Sequence, residues 1–213
     1  MAIDVARYTN PEINYIASGG FSSVWLVDGN IIKATSDEFT INFYRYLANL
    51  NYPKSLPKAE SINSSVVESY NLSLSDVYSH AAELSETEIL SRPDIYGYLT
   101  GELSYNDFSF FKMPHYSEAY KDDNVMHYLY MWMRSCRTEF LDVWRIDSVE
   151  KLQKVFDIFK KEVPSKMFNS CALDHLIEFI ISYGKNWCLD PCDSNFLIDN
   201  NRQIIFADLF FAS

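Results

Sequence analysis

The chain lacks any apolar run long enough for a membrane span. Its opening stretch, MAIDVARYTNPEINY, has no apolar core of the signal-peptide kind. A soluble, cytoplasmic protein is therefore expected. Cysteine is sparse: Cys136, Cys171, Cys188 and Cys192 are the only four. Cys188 and Cys192 stand four apart with no second pair at zinc-finger spacing, which argues against a zinc site and for reduced thiols. Basic residues are outnumbered, 18 against 29 acidic, for a formal net charge of −11. That deficit speaks against direct nucleic-acid binding through phosphate contacts and leaves protein partners open. Internal repeats, low-complexity tracts and Gly/Ser linkers are missing as well. Hydrophobic residues are not: they make up 48% of the 213 residues, and aromatics 16%, enough for one domain or two small lobes with a real core.

The first half reads as strands with one helix. Residues 15–33 hold two β-rich runs around Asp28-Gly29, a dipeptide suited to a two-residue hairpin because both central positions need positive φ. Gly19-Gly20 lies before the first run and Lys33 near the end of the second. Residues 37–50 predict a helix with Phe39, Phe43, Tyr46, Leu47 and Leu50 on one face, closed by Asn51-Tyr52-Pro53. Val66-Val67 and residues 108–113 read as strands, with a short helix over 83–90 and a turn at Arg92-Pro93-Asp94 between them.

From residue 122 the pattern turns helical. Val125, Leu129, Trp132, Met133, Cys136 and Phe140 keep one face. Asp147-Ser148-Val149-Glu150 has capping-box spacing ahead of a helix carrying Leu152, Val155, Phe156, Phe159 and Val163. A third helix covers 171–183 and stops at Gly184. The order gives an α+β class: a β-rich N-terminal part over 1–116 and a helical C-terminal part over 117–213.

The stretch WCLDPCDSNFLIDNNRQIIFADLFF, residues 187–211, carries the chemistry. Asp190 is followed five residues later by Asn195, and Asp208 stands thirteen beyond that, across a hairpin turning at Asp199-Asn200-Asn201. Together with the upstream glycine turn and Lys33, this segment resembles the catalytic loop and magnesium-binding segment of the protein kinase fold. It is similar above all to the small, divergent serine/threonine kinases encoded by short-tailed bacteriophages. The resemblance implies a bilobal fold with a truncated helical C-lobe, and phosphoryl transfer from ATP with Mg²⁺ as cofactor. Asn195 and Asp208 would hold the metal, and Asp190 would accept or orient the proton of the incoming hydroxyl. Lys33 would grip the phosphates, with Gly19 and Gly20 covering them. Ile16, Val24, Ile31 and Leu197 would sandwich the adenine, and Phe111-Met113-His115 would link the lobes. The implied substrates are serine or threonine residues of proteins, those of a bacterial host or of the chain itself, in the host cytoplasm.

The sequence departs from that family at several points. Ala17 and Ser22 replace the outer glycines of the loop, and Cys188-Leu189 replaces the usual His-Arg. Cys192 stands where relatives carry a lysine or histidine, and no glycine follows Asp208. Phe43 takes the place of the glutamate expected to pair with Lys33, leaving Glu38 as the nearest acid on that helix. The chain stops at Ser213, so an activation segment is not expected. Two further readings stay open: a kinase fold with little or no catalysis that binds and inhibits a host defence or transcription protein, and a small-molecule kinase or nucleotidyl transferase.

Overall fold

The computed structural model describes residues 13–18, 22–63, 66–67, 87, 90, 96–97, 100, 107–140, 146, 148–184 and 187–212. Gly19, Gly20, the Arg92-Pro93-Asp94 turn and Asp147 lie outside them. The architecture is α+β, an N-terminal antiparallel sheet followed by a helical C-terminal part. The chain divides into two compact units, one of residues 1–37 and 60–115, the other of residues 38–59 and 116–213. Among the described residues no helix is long and apolar enough to cross a membrane.

The first unit is a five-stranded sheet in the order β1-β2-β3-β5-β4. Its strands are β1 (Ile13–Ser18), β2 (Ser22–Val27), β3 (Asn30–Thr35), β4 (Glu60–Ile62) and β5 (Ser109–Pro114). All four pairings are antiparallel. The β2–β3 turn has the backbone that Asp28-Gly29 predicts, with φ of 48° and 72°. Gly29 is needed there, because a second left-handed residue with a side chain would strain the turn. The β1–β2 register slips between Tyr15 and Ala17, a bulge that sets Ile16 out of the ladder.

Register sorts this sheet into two faces. Trp25 pairs with Ile32, and Ser23 with Ala34, all at 2% exposure or less. The opposite face carries the rows Val24–Lys33–Phe111 and Leu26–Ile31–Met113. Val66-Val67, expected in a strand, are helical, and Val67 is fully buried. Two adjacent β-branched residues are too short a run to outweigh tertiary packing.

The second unit holds helices α1 (Glu38–Asn49), α2 (Asp123–Phe140), α3 (Val149–Glu162) and α4 (Ser170–Tyr183). Its strands are β6 (Ser117–Glu118), β7 (Trp187–Leu189), β8 (Phe196–Ile198), β9 (Ile204–Phe206) and β10 (Phe210–Ala212). They form a β6-β8-β9 sheet and a separate β10-β7 pair. Helix ends follow local chemistry. Ser148 Oγ accepts from Lys151 N at 3.4 Å to start α3, and Asn169 Oδ1 accepts from Cys171 N at 3.1 Å to start α4. Gly184, at φ 65°, ends α4 by donating its N–H to Ile180 O.

Helix α1 follows the first three strands in sequence but belongs to the second unit. Phe39 and Phe43 set their rings 5.2 and 5.1 Å from Phe179 of α4, and Phe39 lies 6.2 Å from Phe210 of β10. A second aromatic cluster sits under the β8–β9 hairpin. Trp132 of α2 contacts Phe159 of α3 and Phe196 of β8, and Phe159 in turn contacts Phe206 of β9. Edge-on ring pairs add about 0.5–1.5 kcal/mol each beyond area burial, so this cluster fixes the hairpin firmly on the helices. Trp132 Nε1 also donates to Val155 O at 3.1 Å, satisfying the one polar atom that burial of the indole would orphan.

Candidate functional site

The segments that carry Asp190, Asn195 and Asp208 are bonded to one another in the second unit. The β7–β10 pairing sets Leu189 opposite Phe210, and just beyond it Asp190 N donates to Leu209 O at 2.7 Å. A short 3₁₀ turn, Asp193–Asn195, then leads into β8. Asn195 Nδ2 donates back to Asp190 O at 3.0 Å, while Asn195 O accepts from Ala207 N at 3.0 Å. Asp190, Asn195 and the Ala207-Asp208-Leu209 segment are thereby tied into one patch by three hydrogen bonds.

The tie orients chemistry as well as backbone. With Nδ2 bonded to the Asp190 carbonyl, Asn195 has its Oδ1 as an acceptor outside that bond, the atom a hard cation takes from an amide. The Asp190, Asn195 and Asp208 side chains are all half-buried, so they are neither dissolved in solvent nor sealed in the core. Asp208 Oδ1 accepts a long hydrogen bond, 3.5 Å, from Tyr44 OH of α1. At that length it steadies the carboxylate without committing it. Behind Asp208 a cavity of about 10 Å³, lined by Phe39, Phe43 and Leu209 among others, has room for no ligand. Near Asp190, Ser194 Oγ donates to Cys192 Sγ at 3.3 Å.

An Asn oxygen and an Asp carboxylate from two segments suit Mg²⁺, which keeps several non-protein oxygens in its shell. Among the described residues no three or more His, Cys, Asp or Glu side chains gather to hold a metal on their own. An ion here would need oxygens from a substrate or from water.

In the first unit, Val24, Ile31, Lys33 and Met113 share one face of the sheet. Val24 and Ile31 are half-buried, Met113 is 7% exposed and Lys33 6%. Lys33 stands in the row between Val24 and Phe111. A lysine so enclosed requires a partner for its ammonium, and Lys33 is not without one. Ile16 occupies the β1 bulge, Gly19 and Gly20 lie outside the described residues, and Leu197 is half-buried on β8, paired with Ile205. Glu38 is exposed in the first turn of α1. Nothing in the sequence singles out Tyr44. It lies beside Phe43 on a helix read only for its apolar face, and nothing local signals a hydrogen bond to a residue 164 positions away.

His175, on α4, sits 3.1 Å from Glu178, and the Tyr46 phenol, donating to the same carboxylate at 3.1 Å, is pushed up to about 12 by burial and by Glu178. This trio ties α1 to α4 on the surface. No family model matches the chain, and no curated protein matches it.

Proposed function

We propose that this protein is an ATP- and Mg²⁺-dependent phosphotransferase of the protein kinase type, acting on serine or threonine hydroxyls of proteins. One observation carries the reading: Asp190, Asn195 and Asp208 are drawn into one patch by the hydrogen bonds around Asn195. A structural hairpin gains little from half-buried carboxylates on both flanks, whereas phosphoryl transfer uses such a set. When bound, Mg²⁺ would supply charge neutralisation for the phosphates.

The chain's own residues would do the rest. Asn195 Oδ1 and the Asp208 carboxylate would hold the ion, with Tyr44 restraining Asp208. Asp190 would take the proton of the incoming hydroxyl as its oxygen bonds to the γ-phosphorus and ADP departs. In the first unit, Lys33 would neutralise phosphate oxygens, and the apolar face of Val24, Ile31 and Met113, with Ile16, would take the adenine; for Leu197, of the second unit, an adenine contact is what the resemblance implies. Gly19 and Gly20 keep the phosphate-covering role that their resemblance implies. A host protein remains the proposed target if the chain is encoded by a phage.

A second reading has its own observation. The Tyr44 hydroxyl already engages Asp208, and Phe43 stands in the position of the expected glutamate. This favours a fold of the same kind kept for binding a partner, with weak or no transfer. Titration of a fluorescent ATP analogue with and without Mg²⁺ tests the nucleotide site itself. Metal-dependent binding that weakens at least tenfold in Lys33→Ala and in Asp208→Ala is expected. Wild-type protein that ignores the nucleotide at millimolar concentration would sink the phosphotransferase reading and leave the partner-binding one.

A further inference from the structure

Helix α1 and the loop after it lie along the segment that carries Asp208, and they run antiparallel to it. Phe39 sets its ring 6.2 Å from Phe210, Tyr44 OH donates to Asp208 Oδ1 at 3.5 Å, and Ser55 O accepts from Phe206 N at 3.0 Å. As the chain advances from 39 to 55, its partners retreat from 210 to 206. Phe39, Thr40 and Phe43 share with residues 206–210 a hollow of only about 10 Å³, so little empty space separates helix and segment. All of these residues belong to the second unit.

The helix is itself held. Phe179 of α4 receives Phe39, Phe43 and Tyr46 at ring distances of 5.2, 5.1 and 5.4 Å. Tyr183 adds a ring 4.8 Å from Phe39, and Tyr46 OH donates to Glu178 Oε2 at 3.1 Å. Beyond the helix, Ser55 Oγ accepts from Asn169 N at 2.9 Å, next to the start of α4. By the resemblance to protein kinases, this helix would carry a glutamate for Lys33. Phe43 stands at that place, buried, with its ring packed on α4.

The backbone around Asp208 is fixed by the other half of the patch. Ala207 N donates to Asn195 O at 3.0 Å, and Leu209 O accepts from Asp190 N at 2.7 Å. With both neighbours pinned, the place of the carboxylate depends on two side-chain torsions, and the outer one is broad. A donor on Oδ1 narrows it. Tyr44 suits that task because its phenol is immobile: the residue is 2% exposed and sits on a helix clamped to α4. A hydroxyl buried so deeply also needs an acceptor, so the contact serves both partners.

We propose that α1 is the positioning element of the metal-binding aspartate, with Tyr44 as the positioning residue that presents the Asp208 carboxylate to Mg²⁺. The proposal rests on the phosphotransferase reading and adds to it how the site is held ready. The metal-binding segment is braced within the second unit, by the helix that the resemblance assigns to Lys33. Mg²⁺ demands oxygens close to octahedral positions, so a carboxylate held in place beforehand binds it at lower cost than one that must first be ordered. Tyr44 acts through Asp208 and not on the nucleotide, which makes metal use, and not nucleotide affinity, the quantity it controls.

Titration of Mg²⁺ into protein with a fixed concentration of a fluorescent ATP analogue tests this, with analogue binding in the absence of metal as the internal reference. Tyr44→Phe keeps the buried ring and removes one oxygen. Tyr46→Phe makes the same change two residues on, at the bond to Glu178, and leaves Asp208 untouched. Tyr44→Phe is expected to need about tenfold more Mg²⁺ for half-maximal binding, the low end of what losing a partner behind a metal ligand costs. Its metal-free binding should match the wild type, and Tyr46→Phe should match it in both measurements. An unchanged Mg²⁺ requirement in Tyr44→Phe overturns the proposal and leaves the phosphotransferase reading standing. A lowered requirement overturns it too, since the phenol then competes with the metal for Asp208. Equal weakening in Tyr44→Phe and Tyr46→Phe overturns it by making α1 a general support. A wild type whose nucleotide binding ignores Mg²⁺ defeats the phosphotransferase reading itself, and the proposal with it.

Discussion

Replacing Asn195 with Asp keeps the shape of the side chain and exchanges its donor Nδ2 for a carboxylate oxygen. The Nδ2 bond to Asp190 O, 3.0 Å and part-buried, is lost, and two acceptors then face each other across that gap. Loss of the bond alone costs about 0.5–1.5 kcal/mol, and stranding the carbonyl against an anion brings the total to about 1–3 kcal/mol. Asn195→Ala removes the bond without the repulsion and should cost about 1 kcal/mol. For a chain of this size, 1 kcal/mol moves the melting temperature by roughly 2–4 °C, so the Asp variant should melt below the Ala variant in plain buffer. Saturating ATP and Mg²⁺ should reverse that order. A ligand at a hundred times its dissociation constant adds about 2.7 kcal/mol to whatever binds it. The Asp variant still offers the metal an oxygen and the Ala variant offers none. Differential scanning fluorimetry of the three proteins, with and without Mg-ATP, reads both effects. An Asp variant that melts with the wild type in plain buffer refutes the role given to Nδ2. An Ala variant with the full wild-type nucleotide shift refutes the metal role given to Oδ1.

Trp132→Ala should cost about 3–5 kcal/mol, because it empties the centre of the ring cluster under the hairpin and removes the bond to Val155 O; urea unfolding measures it, and a loss below about 1 kcal/mol contradicts that packing. The Cys136 thiol, fully buried, is pushed up to about 12 by burial and then by Glu162, so it should resist alkylation at pH 8 in the folded protein while exposed Cys171 reacts, as mass spectrometry of the labelled peptides would reveal. Burial pushes the Asp122 carboxyl up, but the hydrogen bond from Arg202, the Val125 and Asn124 N–H groups and the Arg202 charge outweigh it and leave it below its ordinary 3.8. A depressed carboxyl adds stability above 3.8 that is lost as pH falls through the lower folded value, so the gap in urea midpoint between wild type and Arg202→Gln should hold at neutral pH and close below 3.8; a gap that widens in acid is the contrary result.

Local rules carried far in this sequence, and they failed where partners are distant. Asp28-Gly29 specifies its own turn, and Asn169 and Gly184 specify the ends of α4, because each interaction closes within five residues. The spacing of Asp190, Asn195 and Asp208 carries the resemblance, whereas the bonds that join Asn195 to Asp190 and to Ala207 become visible only in the fold. The partner of α1 was not legible. Its apolar face is stated by the sequence, but whether Phe39 and Phe43 meet a sheet or meet Phe179 depends on residues more than 130 positions away. Likewise β10 gave no separate signal, since three residues of pattern say little until β7 is found opposite them.

The account turns on whether Asp190, Asn195 and Asp208 serve phosphoryl transfer. Pure protein incubated with γ-labelled ATP and Mg²⁺, with and without bacterial lysate, beside Asp190→Ala and Asp208→Asn, asks this directly. Label on serine or threonine of a protein with the wild type, absent with both variants, is the predicted result. Label transferred equally well by the Asp190→Ala and Asp208→Asn proteins, or no transfer by a wild type that fails to bind nucleotide, would contradict it.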